Sequence, residues 1–408
     1  MKIAGRILVT YLLLTLLFTG AMVLAFCIPV SAIEGKVRQS VRQVIDDGPM
    51  FTAGTDVVHP WELDVFSDCL LLGISYCADS SHPLHSSMKA LFMMKDGSTI
   101  EGAELMLDDS LVEKPPLVVY SRYWHGNQSV LRPLLCVMTV HGIRWLNIVL
   151  LAGLLLAVTM ALWRRVGHAE ALIIMFCLLA VMLPSVPLCM NMVPTFYIAL
   201  VSSLVILLWR PAALESSAVI LFFVIGAFTA FYDLLTTPMI AMAVPMAVYI
   251  LYHKPEKPCR TLIILALAWL AGYASLWATK WLLASLITGT AAFEDAFGSI
   301  AMRTVGRDEH DYMLWCLERQ SVIVVVACLL AVMVTLLFGR SWESLRRHGW
   351  LLLLAMSGVV WIFVLLQHTW HHLFFTWRTL VVPLICLALY WHQTLQFRRP
   401  LALFSHRE

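Results

Sequence analysis

The sequence predicts an all-α integral membrane protein, and three observations predict it. Some 60% of its 408 residues are apolar and only 13% are charged, far from the balance of a soluble domain. Apolar stretches close to membrane-crossing length recur along most of the chain. Lys and Arg gather on alternate connections between them.

The first element opens with Lys2 and Arg6 and runs apolar from Ile7 to Ile28, about the twenty residues that cross a bilayer. Val30-Ser31-Ala32 resembles a signal-peptidase site, but the run exceeds the roughly 7–15 residues of a signal-peptide core. Residues 1–32 are therefore expected to be a retained anchor. After it, 33–144 is too long for a simple connection and is expected to form an extracytoplasmic loop domain holding amphipathic helices.

Nine further apolar stretches follow: Leu146–Trp163, Ala171–Leu188, Val193–Trp209, Ala218–Phe231, Met239–Leu251, Thr261–Leu283, Val322–Phe338, Leu351–Leu366 and Leu380–Trp391. They give a bundle over 145–395, about ten spans in all, and a tail over 396–408. Arg164-Arg165, Arg210, Lys254 with Lys257 and Arg260, Arg340 with Arg346-Arg347, and Arg398-Arg399 fall on the side of Lys2 and Arg6. The positive-inside rule then places both termini in the cytoplasm of a multi-pass plasma-membrane protein. Several spans are short and contain Pro, which leaves room for a re-entrant pair.

The other side collects the unusual residues. Asp64 and Asp68 lie four apart in Trp61–Leu72, a stretch that reads as helix, so both carboxylates are expected on one face. Like charges so placed repel, and the pair calls for a cation, a basic partner or a catalytic task; a solvated acidic face is the plain alternative. Tyr120–Gly126 packs aromatics with Arg122 and His125. Tyr123 and Trp124 suit an interfacial belt, and Arg122 with His125 suits an anionic headgroup. Cys69, Cys77 and Cys136 allow one disulfide without selecting it.

Asp233 is a single carboxylate in the apolar Phe231–Pro238 connection, where a buried charge costs about 2.5–3.5 kcal/mol and needs a partner or a wet cavity. Lys280 either snorkels to the interface or pairs with Asp233 or a lipid phosphate. Arg303 lies in a charged segment with Glu294, Asp295, Arg307, Asp308, Glu309, His310 and Asp311, most of them expected in solvent. His368–Arg378 brings three histidines and Arg378 to the same side; His368 and His372 share a helical face, but no HExxH pattern or cysteine cluster accompanies them, so no metal site is assigned. Arg binds phosphate bidentately, Lys as a point charge, and a nearby carboxylate can take a proton from an attacking hydroxyl.

With these residues in view, the layout resembles the GT-C superfamily of multispanning glycosyltransferases that use polyprenyl-phosphate-linked sugars. The likeness is architectural: an early span, a long first outer loop bearing acids, then many spans with short loops. It implies an inverting transfer in which Asp68 or Asp64 deprotonates the acceptor and Arg122, Lys280, Arg303 and Arg378 steady the departing polyprenyl phosphate. In that superfamily the key acid tends to lie nearer the first span, where this chain has Asp46-Asp47. Tyr123, His125, Asp233, His368 and His372 complete the expected binding residues. The implied partners are the bilayer, a polyprenyl-phosphate-linked sugar donor and an envelope glycan, lipid or protein acceptor. No obligatory cofactor is expected, with a divalent cation left open. No Walker A or similar glycine-rich cradle is present, which argues against a nucleotide-driven pump or a nucleotide-sugar donor. The near-equal counts of 28 basic and 26 acidic residues give no pointer to nucleic acid. A transporter or flippase of lipid-linked sugars, a polysaccharide polymerase or ligase, and a purely structural membrane protein remain as alternatives.

Overall fold

The computed structural model describes residues 3–48, 63–108, 116–209, 214–305 and 342–394, and these are mostly helical with almost no strand. The expected Val322–Phe338 span, Trp61 and Glu62, the charged run Arg307–Asp311, Arg210, Arg340 and the 396–408 tail lie outside the described residues.

Among the described residues, five stretches are long and apolar enough to cross a membrane: α1 (Ile3–Phe26), α7 (Val140–Arg165), α12 (Pro258–Thr288), 347–364 of α14 (Trp342–Val364), and 373–394. Several bear rows of exposed leucines and valines, such as Leu13, Leu16 and Leu24 on α1, which only a lipid surface would accept in such density. Among the described residues after α7, four shorter apolar helices accompany them: α8 (His168–Met182), α9 (Val193–Leu208), α10 (Leu214–Tyr232) and α11 (Pro238–His253). α11 is apolar all round and its residues from Pro238 to Leu251 are all buried, the mark of a helix enclosed by other helices.

Two glycines set the closest helix crossing. A Cβ on Gly226 of α10 would stand 2.0 Å from the Trp269 carbonyl oxygen of α12, and one on Gly272 would stand 2.0 Å from that of Phe223. Only hydrogen fits there, so the backbones of α10 and α12 meet directly. This contact brings the C-terminal end of α10 beside Tyr273 and Trp277.

Between α1 and α7 the chain forms a small folded layer. α2 (Val30–Asp47) buries Ile33, Val37, Val41 and Val44 at helical spacing. α3 (Val65–Tyr76), α4 (Pro83–Lys89), α5 (Thr99–Glu104) and α6 (Gln128–Leu135) follow, with strands β1 (Phe92–Met93) and β2 (Leu117–Val118) paired antiparallel. Arg132 of α6 locks this layer to the first span. Fully buried, it donates to the carbonyl oxygens of Ala25 (2.9 Å), Ile28 and Ser75, satisfying the chain ends of α1 and α3.

After α12 come α13 (Ala292–Val305), then beyond α14 a broken run: α15 (Leu366–His371), α16 (Leu373–Thr376), a 3-10 turn at Trp377–Leu380, and α17 (Val381–Thr394).

Candidate functional site

The expected acidic pair takes a different form from two carboxylates on one helix face. Asp64 is the N-cap of α3, outside its regular turns, and its Oδ1 accepts from the Ser67 amide at 3.0 Å. The cap satisfies one of the free amides that open every helix, and Asp is among the best residues for it. Its Oδ2 accepts from Asn191 Nδ2 at 2.6 Å. Asp68, in the first turn, accepts from the Met190 amide at 2.9 Å through Oδ1 and pairs with Arg144 Nη2 at 3.4 Å through Oδ2. Arg144 also donates to Asp47 Oδ2 at 2.6 Å and to the Leu188 carbonyl at 2.7 Å. His141 Nε2 meets Asp47 Oδ2 as well.

The basic partner that the pair called for is thus Arg144, four residues into α7. Burial pushes the Asp68 carboxyl up to about 7, against the pull of Arg144 and with a further push from Asp64. Asp64 also rises through burial, against its bonds to Ser67 and Asn191. All four carboxylate oxygens have partners, and together they clamp α3 to α7 and to the chain between α8 and α9.

A second polar cluster lies where α10 ends. Asp233 Oδ1 accepts from the Thr236 amide at 2.9 Å and from its hydroxyl, while Oδ2 is buried without a partner. Two residues on, Leu235 is held at φ +69°, a left-handed conformation that is costly for a branched side chain and often marks functional sites. The Leu235 carbonyl receives His368 Nε2 at 2.8 Å. That bond places the proton on Nε2 and leaves Nδ1 as a bare lone pair, also buried and unpartnered.

The Tyr120–Gly126 loop supplies the facing wall. The Gly126 amide donates to the Phe231 carbonyl at 2.9 Å, and a Cβ there would stand 2.4 Å from that oxygen, so glycine is required. His125, at φ +54°, bonds the Tyr120 carbonyl through Nε2 at 3.0 Å and leaves Nδ1 without a partner. Arg303 of α13 donates to the Tyr123 hydroxyl at 2.7 Å. The Tyr123 ring lies 5.0 Å from Trp277, which lies 5.9 Å from Tyr273. Tyr273 is in electrostatic reach of Asp233, Tyr123 and Arg303, and His372 of Arg303. The His368 and His372 rings are 4.7 Å apart.

These contacts and electrostatic neighbours together outline a ring running Asp233, Leu235, His368, His372, Arg303, Tyr123, Trp277, Tyr273. The Tyr273 hydroxyl and Trp277 Nε1 are buried there too, within electrostatic reach of each other but without a hydrogen bond of ordinary geometry. Burial holds the three histidines neutral: His125 falls to about 3, with Lys280 adding to the effect; His372 falls to about 3, with Arg303 adding; His368 falls well below its ordinary value. Burial pushes Asp233 up to about 6, against its bonds to Thr236.

The remaining expected residues divide. Arg122 sits beside the ring, over the Tyr120 ring at 4.4 Å, and pairs with Asp295 at 2.8 and 3.0 Å. Lys280 is buried and caps α4, donating to the carbonyls of Ser87 (3.3 Å) and Met88 (3.0 Å). Arg378 is near the acidic pair, donating to the Val181 carbonyl at 3.0 Å, the Phe374 carbonyl at 2.6 Å and the Ser185 hydroxyl. The sequence reasoning did not single out Arg144, Tyr273 or Trp277. An Arg inside an apolar helix and a Trp269–Tyr273–Trp277–Trp281 stripe at four-residue spacing were the signals that could have found them.

Between α6, α7, α9 and α10 lies an apolar cavity of about 450 Å³. Its wall includes Met190, whose amide holds Asp68, and Tyr232, which precedes Asp233. Asn127 also lines it, with both amide atoms buried and unpartnered.

No family model, curated protein or solved structure matches this chain.

Proposed function

We propose that this protein is a membrane glycosyltransferase that moves a sugar from a polyprenyl-phosphate-linked donor to a cell-envelope acceptor on the extracytoplasmic side of the plasma membrane. The observation that carries this reading is the ring around Asp233. Native proteins leave few buried polar atoms unpaired, and each such atom asks for an explanation. Here Asp233 Oδ2, His368 Nδ1, the Tyr273 hydroxyl and Trp277 Nε1 are gathered among aromatic faces. A sugar offers many hydroxyls to such acceptors and donors, and a flat apolar face to Tyr123 and Trp277.

Arg303 supplies a cation for the phosphate, with Arg122 next to it. The neutral histidines add hydrogen bonds without adding charge. The apolar cavity between α6, α7, α9 and α10 has the character a polyprenyl chain requires. In this reading the α1–α7 layer is the extracytoplasmic first loop, Asp64 and Asp68 build its floor, and the multispanning layout is the GT-C-like one.

Transfer from a panel of polyprenyl-phosphate-linked sugars to envelope material, in membranes containing wild type or Arg303→Ala, tests the reading. Loss of one charge-stabilising group at a reacting centre lowers kcat by about 10²–10³. Membranes in which wild type transfers from no donor would overturn it.

One observation favours a second reading, a transporter of lipid-linked sugars. Discontinuous helices lining a polar site are typical of transporters, and the run from α15 through α17 is broken and carries His368, His372 and Arg378. Protein-dependent movement of the same lipids across vesicles, without turnover, would select it.

A further inference from the structure

We infer that Asp233 is the general base of this transfer, its Oδ2 accepting the proton of the acceptor hydroxyl. The inference rests on the glycosyltransferase reading and goes beyond it by assigning the base to the α10–α11 connection, away from the acids of the α1–α7 layer.

Three observations support it. Asp233 Oδ2 is the one buried carboxylate oxygen without a hydrogen bond among the described residues. Its twin, Oδ1, is fixed by the amide and hydroxyl of Thr236, so the free oxygen has a set direction. The carboxylates of Asp64 and Asp68, by contrast, have each oxygen engaged by Ser67, Asn191, Met190 or Arg144. A base must reach the proton it takes with an available lone pair. Asp233 offers one without breaking an existing bond, and the left-handed Leu235 holds the turn that presents it.

The surrounding groups fit the task. Tyr273 of α12 is in electrostatic reach of Asp233 and of Arg303 from α13, His368 of α15 bonds the Leu235 carbonyl two residues on and lies 4.7 Å from His372, and Tyr123 of the loop before α6 lies 5.9 Å from His125. In the step, the acceptor oxygen forms a bond to the anomeric carbon as its proton passes to Asp233 Oδ2. The bond from that carbon to the phosphate oxygen breaks, and polyprenyl phosphate leaves with the electron pair, its charge met by Arg303. The proton on Asp233 then passes to water, restoring the carboxylate.

The test compares wild type, Asp233→Asn, Asp233→Glu, Asp68→Asn and His368→Gln in the same transfer assay, using the polyprenyl-phosphate-linked sugar panel and matched protein levels. Asp233→Asn is expected to lower kcat by about 10²–10⁴, the usual range for a general base, with the donor KM little changed. Wild-type kcat/KM should rise with pH through about 6, where Asp233 sheds its proton. That limb should persist in Asp68→Asn and His368→Gln.

Transfer that survives in Asp233→Asn with the same pH limb overturns the assignment and leaves the transferase reading standing. Wild type that transfers from no donor overturns both. Should Asp233→Asn fail to accumulate, the wild-type pH profile and Asp233→Glu decide: a flat profile overturns the assignment, and partial turnover in the Glu variant with a displaced limb supports it.

Discussion

The acidic pair of the α1–α7 layer and the ring around Asp233 are built from similar residues yet are in opposite states of completion. Both are buried and contain carboxylates and arginine. Around Asp64 and Asp68, each carboxylate oxygen has a partner, and Arg144 also spans to Asp47 and Leu188. Around Asp233, a carboxylate oxygen, an imidazole nitrogen, a phenol and an indole are left over. A completed network holds elements together; an incomplete one retains polar atoms for something else to satisfy. Burial alone marks both regions, and hydrogen-bond completeness separates them.

The largest effect that would test this contrast is on stability. Arg144→Met leaves Asp68 and Asp47 without their cation, and breaking a buried pair from one side costs about 3–5 kcal/mol. Asp233→Asn keeps an acceptor for Thr236 and should stay within about 1 kcal/mol of wild type. Thermal unfolding of the detergent-purified variants reads both. Equal destabilisation would erase the distinction between a structural and a functional cluster.

A smaller effect follows from pH. Asp68 ionises at about 7 in the folded protein against an ordinary 3.8, because burial disfavours its charge. Between those values the folded state holds a proton that the unfolded chain has released. Stability from this group is therefore complete below about 4 and declines as pH rises to about 7. Asp233 acts in the same direction over a narrower window, ending near 6. Unfolding midpoints across this range should fall less steeply in Asp68→Asn than in wild type, with the difference in slope greatest near the middle of the window, at about 5–6. A wild-type midpoint that rises with pH, and does so equally in the variant, would contradict the burial of Asp68.

Much of the membrane architecture was legible in the sequence. The stretches expected over Ile7–Ile28, Leu146–Trp163, Thr261–Leu283 and Leu351–Leu366 correspond to α1, α7, α12 and α14, since an apolar run of that length has few other stable outcomes. The start of α7 was misplaced by several residues for a local reason. Its first amide, at Val140, donates to Ser40 Oγ at 2.9 Å, so the helix begins in polar sequence and carries Arg144 inside its first turns. The aspartates were legible as unusual, but not their states. Asp64 reads equally well as a helix residue or a cap until the start of α3 is known, and the partners of Asp68 come from α7 and from Met190, 76 and 122 residues away. The ring around Asp233 depends on the Gly226–Gly272 crossing, a long-range contact that local pattern does not reveal.

The smallest effect sharpens the comparison most, because one chemical change can be made on a used and an unused group. Trp124 is buried in this region, and Trp277 is partly buried with its Nε1 out of reach of solvent. Trp124 Nε1 donates to the Leu276 carbonyl at 2.7 Å, whereas Trp277 Nε1 has no partner. Replacing either by Phe removes the indole nitrogen and part of the ring. At Trp124 the Leu276 carbonyl loses a donor, which adds about 1–3 kcal/mol to the packing loss. At Trp277 no bond is lost, so the cost is packing alone and the unfolding midpoint should move less. If Trp277 faces a ligand, its substitution should instead weaken donor binding, read as a higher donor KM at little change in stability. Comparable losses of stability at both tryptophans, with donor KM untouched in Trp277→Phe, would mean that its nitrogen serves neither the fold nor a ligand, and the ring around Asp233 would lose one of the atoms on which its reading depends.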